Sequence, residues 1–180
     1  ELARRGWKAG ELLRVQSRRG EMVLPVRASD AVAPAQAFVA MHWGGEWLPG
    51  GAALGVNALM PTARCPQSRQ PELKHAAVRV TAAELPWSLV AAAWLPAADA
   101  LAVREALRPW LAALPYAMLL PFGQEAPAGA HGEVRLMLQA AAWEPMPDAW
   151  LHGLEERLGL HGAGVVRYVD ARLAQRRSVR

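Results

Sequence analysis

Proline and glycine divide the apolar part of this sequence into short pieces. The 180 residues include 14 prolines and 15 glycines, and no apolar run reaches 18 residues without a charge, a proline or a glycine. The most apolar stretch, residues 85–98, is cut by Pro86 and Pro96. A transmembrane helix needs about 20 consecutive apolar residues, so this pattern excludes a membrane span. Since 53% of the residues are hydrophobic, we expect a soluble fold with a buried core built from short elements.

The first half of the chain reads as short strands joined by long loops. A helical turn over residues 1–5 precedes a β-hairpin whose strands flank "SRRG" at 17–20. Further strands are expected at 37–42 and 75–80, whereas residues 44–55 are glycine-rich and residues 56–74 have no usable period. Many short strands with few helices favour a small β-barrel or an open mixed sheet.

The second half alternates strands with helices. Strands are expected in "LPWSLVAAAWLP", "YAMLLPF", "EVRLMLQAAAW" and "AGVVRYVDARL", and helices over Asp99–Leu114 and from Pro147 to Leu158. Pro109 lies inside the first of these helices and should kink or break it. The order β-α-β-β-α-β is that of the ferredoxin-like α+β sandwich. We therefore divide the chain into residues 1–81, a β domain, and residues 82–180, an α+β domain.

Charge and cysteine content narrow the choice of ligands. Residues 1–80 carry 11 Lys/Arg against 6 Asp/Glu, and residues 81–180 carry 9 against 10. An anionic partner is therefore expected to bind the first half. No nucleic-acid signature accompanies this bias, and an anionic small molecule or cofactor fits it equally well. A single cysteine, Cys65, excludes an internal disulfide and a cysteine-built metal site, and it slightly favours a reducing compartment.

Each candidate residue can be explained either by an ordinary structural role or by a function. "SRRG" at 17–20 is either an anion-binding turn, with two guanidinium groups and free amides, or a solvated hairpin tip. In "MHWGGEW" at 41–47 the tryptophans could form a flat wall against a ring or fill the end of a barrel. Asn57 is commonly a turn residue, and Lys74 could hold a phosphate or simply be solvated. We find no catalytic triad, phosphate-binding loop, dinucleotide fingerprint or paired-carboxylate pattern.

The order of several motifs in the first half resembles a known family. The chain is similar to the C-terminal molybdopterin-dinucleotide-binding domain of molybdenum oxidoreductases that carry bis(molybdopterin guanine dinucleotide). The similar motifs are, in order, "RRGWKAGELLRVQSRRGEMVLPVRASDAVAPAQAFVAMHWG", "VNALM" and "CPQSRQPELKHAAVRV". The resemblance covers residues 1–80. It implies a double-psi β-barrel that begins upstream of Glu1, so that we expect a fragment of a longer polypeptide in which the barrel is incomplete at its N-terminal edge.

Within that family, "MHWG" and "QPELK" look most like the assimilatory nitrate reductases of bacteria. The second half resembles the extension that follows the barrel in those nitrate reductases, in the segments "LPYAMLLPFG", "GEVRLMLQAAA" and "VRYVDARLAQRRSVR". The resemblance implies a cytoplasmic enzyme that reduces nitrate to nitrite by oxygen-atom transfer at molybdenum. Its electrons would come from a donor protein or subunit through a [4Fe–4S] cluster elsewhere in the chain, and a small [2Fe–2S] domain often follows the extension.

The resemblance also implies which residues hold the cofactor. Met41, His42 and Trp43 would lie against its pterin or guanine end, Asn57 would hydrogen-bond it, and Lys74 would suit its pyrophosphate. No catalytic residue and no metal ligand falls in this stretch, so the fragment alone should be inactive. Departures from the family pattern occur in the loop between Asn57 and Lys74: Met60 replaces a usual Thr, Cys65 a usual Asp, and Arg69 a frequent Lys.

Two alternatives stay open at this point. The same domain occurs in formate dehydrogenases and other molybdopterin oxidoreductases, and the barrel alone separates these poorly. A free-standing basic module that binds nucleotides is an alternative of another class. Sequence preceding Glu1 would distinguish them, because a cluster-binding cysteine set there would support an enzyme.

Overall fold

The computed structural model of the chain describes residues 1–42, 44–51, 55–71, 75–122, 134–159, 166–170 and 175–179. Within these residues the chain forms a three-stranded and a five-stranded antiparallel sheet, with helices that belong mainly to the second half. In chain order the elements are α1 (Leu2–Arg5), β1 (Leu12–Gln16), β2 (Glu21–Pro25), the 3-10 helix η1 (Gly55–Ala58), β3 (Arg79–Ala82), β4 (Trp87–Leu95), α2 (Ala97–Leu111), β5 (Tyr116–Phe122), β6 (Val134–Ala142), α3 (Asp148–Gly159), β7 (Val166–Asp170) and β8 (Gln175–Val179).

The three-stranded sheet is built on the hairpin that the sequence predicts, which is thereby confirmed. β1 pairs with β2, with Val15 opposite Met22, and β3 pairs with the other edge of β1. The amide of Ser17 donates to the carbonyl oxygen of Gly20 over 2.9 Å and closes the hairpin loop. The resulting strand order is β2-β1-β3.

The five-stranded sheet has the strand order β5-β6-β4-β7-β8, and every neighbouring pair is antiparallel. Its first four strands, with α2 after β4 and α3 after β6, reproduce the order of the ferredoxin-like βαββαβ fold. β8 adds a hairpin partner to β7. The predicted fold class, a mixed β and α+β protein with a ferredoxin-like second half, is confirmed.

One face of the five-stranded sheet is covered by α2 and α3. Alternate positions of β4 and positions four residues apart in α2 point into the same apolar layer, as the periods of strands and helices require. Side chains buried in this layer include Trp87, Leu89, Leu95, Val103, Leu107, Leu111, Leu119, Leu138, Leu151 and Leu154. This layer is the largest hydrophobic core in the described part of the chain.

Two expectations about individual elements are wrong, and so is the break expected at Pro109, while the kink there stays a prediction. The strand expected at 37–42 is absent: no partner strand hydrogen-bonds this segment, and Phe38 is 79% exposed. The strand expected at 75–80 begins only at Arg79, where pairing with Gln16 starts, and it continues to Ala82. α2 runs through Pro109 and ends two residues later, because a proline close to a helix end removes only one of the last hydrogen bonds.

The three-stranded sheet does not close into a barrel within the described residues. This agrees with a double-psi β-barrel that is present only in part. The search of the described helices for one that is long and apolar enough to cross a membrane finds none.

The two sheets meet at a small buried cluster. Tyr116 and Ala141, on the face of the five-stranded sheet away from the helices, pack against Val23 and Ala83. The hydroxyl group of Tyr116 donates to the side-chain oxygen of Gln139 over 3.3 Å. Burial raises the pKa of Tyr116 to about 12.

This pKa predicts a loss of stability at alkaline pH. The raised pKa favours the neutral phenol in the folded state, so its contribution is complete below pH 10 and is lost as the pH approaches 12. The free energy of unfolding should fall by about 3 kcal/mol across that window on this account. Urea denaturation at several pH values measures it. The variant Tyr116→Phe should show a correspondingly smaller fall, and an equal fall in both proteins would assign the effect to other groups.

Candidate functional site

An open groove of about 610 Å³ lies beside the loop of the β1–β2 hairpin. The polar residues 16–19 and Arg79, at the start of β3, form part of its lining, which we call the cationic wall. The rest of the lining is apolar, consists of Leu59, Pro61 and residues 76–78, and is called the apolar wall. A groove with one cationic wall and one apolar wall suits a ligand that combines anionic groups with flat or apolar parts.

The cationic wall has no carboxylate of its own. Arg18, Arg19 and Arg79 line the groove, and no Asp or Glu is among its lining residues. Across the described part of the chain, the ion pairs found leave these three arginines without an acidic partner. Arg14, by contrast, is paired with Glu21 over 2.6 Å. Among the described residues the groove therefore holds three arginines without an acidic partner, and guanidinium groups bind phosphate well.

The amides of the hairpin loop are largely occupied within the loop. Ser17 Oγ accepts hydrogen bonds from the amides of Arg19 (3.0 Å) and Gly20 (3.3 Å). Of the two alternatives for "SRRG", the anion-binding turn with free amides does not hold for these two residues. Anion binding at this turn would depend on the guanidinium groups of Arg18 and Arg19.

Gly20 explains how the apolar wall comes close to the hairpin loop. A Cβ atom at this position would lie 2.8 Å from the carbonyl oxygen of Ala58, the last residue of η1. Because only glycine avoids that collision, η1 can pack against the loop, and Leu59 and Pro61 then border the groove. Leu59 is itself fixed in a buried cluster with Met22 and Leu48.

The residues predicted from the resemblance are only partly placed around this groove. Asn57 is exposed in η1, next to Ala58, and its carbonyl oxygen accepts the amide of Met60. Met41 and His42 are exposed and do not line the groove. Trp43 and Lys74 lie outside the described residues. The assignment of all five as cofactor contacts stays a prediction.

Sequence reasoning left the arginine wall undecided. "SRRG" was compatible with a solvated tip, and Arg79 lies 60 residues beyond Arg19 in the sequence. The register of the β1–β3 pair brings Arg79 close to the hairpin loop, because Arg79 lies opposite Gln16. The uneven charge of the first half was the one signal in the sequence that pointed to an anion site there.

Cys65 belongs to a separate, exposed loop. Its Sγ atom lies 3.5 Å from the amide of Ser68, and hydrogen bonding by Ser68 holds the pKa of the thiol below its usual value. Amides of Cys65 and Arg69 also bond within the loop. Among the described residues, no group of three or more His, Cys, Asp or Glu side chains could hold a metal ion.

Comparison with known proteins places the groove in a cofactor-binding domain. Residues 1–77 match the family described as "Molydopterin dinucleotide binding domain". The match confirms the resemblance of these motifs to a molybdopterin-dinucleotide-binding domain. All the described residues of the groove except Val78 and Arg79 fall in the matched segment.

Two curated relatives match parts of the chain. A nitrate reductase of Synechocystis sp. is 44% identical over 66 residues, which are 37% of this chain and 9% of the relative. A nitrate reductase of Klebsiella oxytoca is 39% identical over 88 residues, which are 49% of this chain and 8% of the relative. The matched part thus spans less than a tenth of either relative. A search of solved structures gives no significant match.

The arginine wall makes a prediction about anion binding. Replacing Arg18, Arg19 or Arg79 singly by Ala should raise the Kd for inorganic pyrophosphate about tenfold, since a hydrogen bond to a charged group contributes about 1.5–3 kcal/mol and solvent screening reduces this at an exposed site. Isothermal titration calorimetry of the purified protein measures the Kd, which should also rise with salt. Arg27→Ala, an exposed arginine outside the groove, is the control. An equal effect of Arg27→Ala would show that general charge, not this groove, binds the anion.

Proposed function

We propose that this chain is the cofactor-binding part of a molybdenum-dependent nitrate reductase. The observation that carries the proposal is the match of residues 1–77 to the molybdopterin-dinucleotide-binding family, joined with two relatives that are both named nitrate reductase. The arrangement of charge in the groove supports the same assignment, because a dinucleotide offers phosphates and flat rings together.

The groove fits the chemical groups of such a cofactor. Its cationic wall offers Arg18, Arg19 and Arg79 to phosphate oxygens, and Leu59 and Pro61 offer apolar surface to a ring. When bound, the molybdenum cofactor supplies oxygen-atom transfer, the chemistry by which nitrate becomes nitrite. The chain's own task is to bind and orient the cofactor and to surround its phosphates with positive charge.

The remaining contacts are proposed from the family pattern. Asn57 is exposed and precedes Ala58, whose carbonyl oxygen approaches Gly20 of the hairpin loop, and we propose that Asn57 hydrogen-bonds the cofactor. Met41, His42 and Trp43 are proposed to approach the pterin or guanine end, and Lys74 the pyrophosphate. We propose no catalytic residue and no metal ligand in this chain.

The rest of the enzyme is proposed to supply what this chain lacks. The ligands of molybdenum, a [4Fe–4S] cluster and the nitrate pocket would belong to other parts of the same polypeptide, and a [2Fe–2S] domain or a donor protein would deliver electrons. The enzyme would act in the cytoplasm in nitrate assimilation. The isolated chain would be inactive.

Substrate choice is the decisive test. The intact polypeptide that contains this chain, purified with its cofactor, should reduce nitrate with a dye donor and should not oxidise formate. Molybdenum content is measured on the same sample. Formate oxidation without nitrate reduction would assign the domain to a formate dehydrogenase, and a protein that carries no molybdenum but binds nucleotides would support the free-standing module.

The contact residues can be tested one at a time. Asn57→Ala and Lys74→Ala in the intact polypeptide should each lower bound molybdenum severalfold while the unfolding temperature stays within a few degrees, since exposed substitutions cost little stability. Molybdenum per polypeptide is measured by mass spectrometry. Lys8→Ala and Gln67→Ala are matched controls at exposed positions away from the groove. Normal molybdenum content in both test variants would remove Asn57 and Lys74 from the contact set.

A further inference from the structure

The backbone of residues 47–51 lies along the free edge of β5. The amide of Leu119 donates to the carbonyl oxygen of Trp47 over 2.9 Å, and the amide of Gly51 donates to the carbonyl oxygen of Leu114 over 2.8 Å. As residue numbers rise in one segment they fall in the other, so the two run antiparallel. β5 is at the end of the five-stranded sheet and pairs with β6 on its other side. Residues 47–51 therefore occupy hydrogen-bonding groups that an edge strand otherwise leaves open.

The contact is closer than any side chain at Gly50 would allow. A Cβ atom on Gly50 would lie 2.7 Å from the amide nitrogen of Ala117 and 2.8 Å from the carbonyl oxygen of Leu114. Both atoms belong to the backbone at the start of the strand, so neither can move aside cheaply. Gly51 is similarly close, with a Cβ position 3.0 Å from the carbonyl oxygen of Pro115. The "PGG" sequence thus specifies a close backbone approach.

Side chains hold the same segment from both sheets. Leu48 is only 2% exposed and packs with Met22 of β2 and with Leu59. The guanidinium group of Arg104, on α2, lies 4.7 Å from the ring centroid of Trp47. A cation over an indole face contributes about 0.5–2 kcal/mol depending on its exposure. Residues 47–51 are therefore fixed between the hairpin of the first sheet and the edge of the second.

This fixed segment lies between the two stretches that we propose to contact the cofactor. Met41 and His42 precede Trp47 by six and five residues, and Asn57 follows Gly51 by six. The amides of Trp47 and Leu48 both bond to the carbonyl oxygen of Gly44, which forms a turn directly before the fixed segment. Residues 47–51 thus fix the chain between the two stretches, within six residues of each.

We propose that the α+β domain positions the cofactor-contacting stretches through residues 47–51. Gly50 and Arg104 are positioning residues in this arrangement: the first permits the backbone pairing with β5, and the second holds Trp47. This inference rests on the proposed function for the identity of the ligand. It gives residues 82–180 a role in cofactor retention, although they lie outside the matched family segment.

The test compares two glycine variants of the intact, cofactor-loaded polypeptide. Gly50→Ala should displace 47–51 from β5 and raise the rate of cofactor release about tenfold below the unfolding temperature, because contacts that were preorganised become mobile. Gly44→Ala is the control, since its Cβ would meet only the flexible, exposed carboxylate of Glu46. Release is followed as molybdenum lost from the protein after gel filtration, and correct folding is checked by thermal unfolding.

A second pair of variants keeps the test decisive if Gly50→Ala fails to fold. Arg104→Ala should speed release, Arg104→Lys should restore part of the retention, and Arg108→Ala, which removes only an exposed pair with Glu105, should have no effect. If residues 47–51 only covered the edge of β5, Arg104→Ala would lower the unfolding temperature without changing the rate of cofactor release from the folded protein. Unchanged release in Arg104→Ala, or in a folded Gly50→Ala, would overturn the proposal.

Hydrogen exchange separates this proposal from the proposed function. The amides of Leu48, Leu59 and Leu119 are hydrogen-bonded in and around the fixed segment. In Gly50→Ala all three should exchange faster, whether or not the protein carries cofactor. A wild-type polypeptide without molybdenum would refute the proposed function, while unchanged exchange at Leu48 and Leu59 in Gly50→Ala would refute the positioning proposal by itself.

Discussion

The pairing of residues 47–51 with the edge of β5 connects the two halves of the molecule. The five-stranded sheet buries its helical face under α2 and α3, which makes β5 a rigid edge. On the opposite face, Tyr116 and Ala141 pack against Val23 and Ala83. The small first sheet, with three strands and few buried residues of its own, thus gains an apolar contact from the second, and residues 47–51, whose Leu48 packs on Met22, hydrogen-bond to β5. A sheet of this size depends on such support, because it cannot bury enough surface alone.

The acidic residue of the hairpin, Glu21, pairs within the strands, and the arginines of the groove have no acidic partner among the described residues. Arg14 and Glu21 pair across β1 and β2, and Gln16 also donates to Glu21. Glu21 is thus engaged on the strands, and among the described residues it has no ion pair with the arginines of the loop. Ser17 closes the loop by bonding its amides, so the fold of the turn does not depend on a bound anion. A preorganised turn of this kind would lose little conformational entropy if its arginines bound a phosphate.

Sequence reasoning succeeded where structure is determined locally. The hairpin follows from alternation around "SRRG", and the βαββαβ order follows from periods of two and of about 3.6 residues. It failed at 37–42, because a strand exists only where another strand meets it, and Phe38 has no such neighbour among the described residues. Arg79 and the fixed segment were missed for a related reason. Neither the register of β3 nor the close approach at Gly50 can be read from residues near them in the sequence.

Two of the three departures from the family pattern, Met60 and Cys65, have contacts in the structure that explain them. Met60, where the family usually has Thr, packs against the buried cluster of Met22, Leu48 and Leu59, while its amide bonds to the carbonyl oxygen of Asn57. Cys65, where Asp is usual, accepts the amide of Ser68 with its sulfur, as a short polar side chain commonly does in a turn. Both substitutions therefore leave the loop with its own contacts.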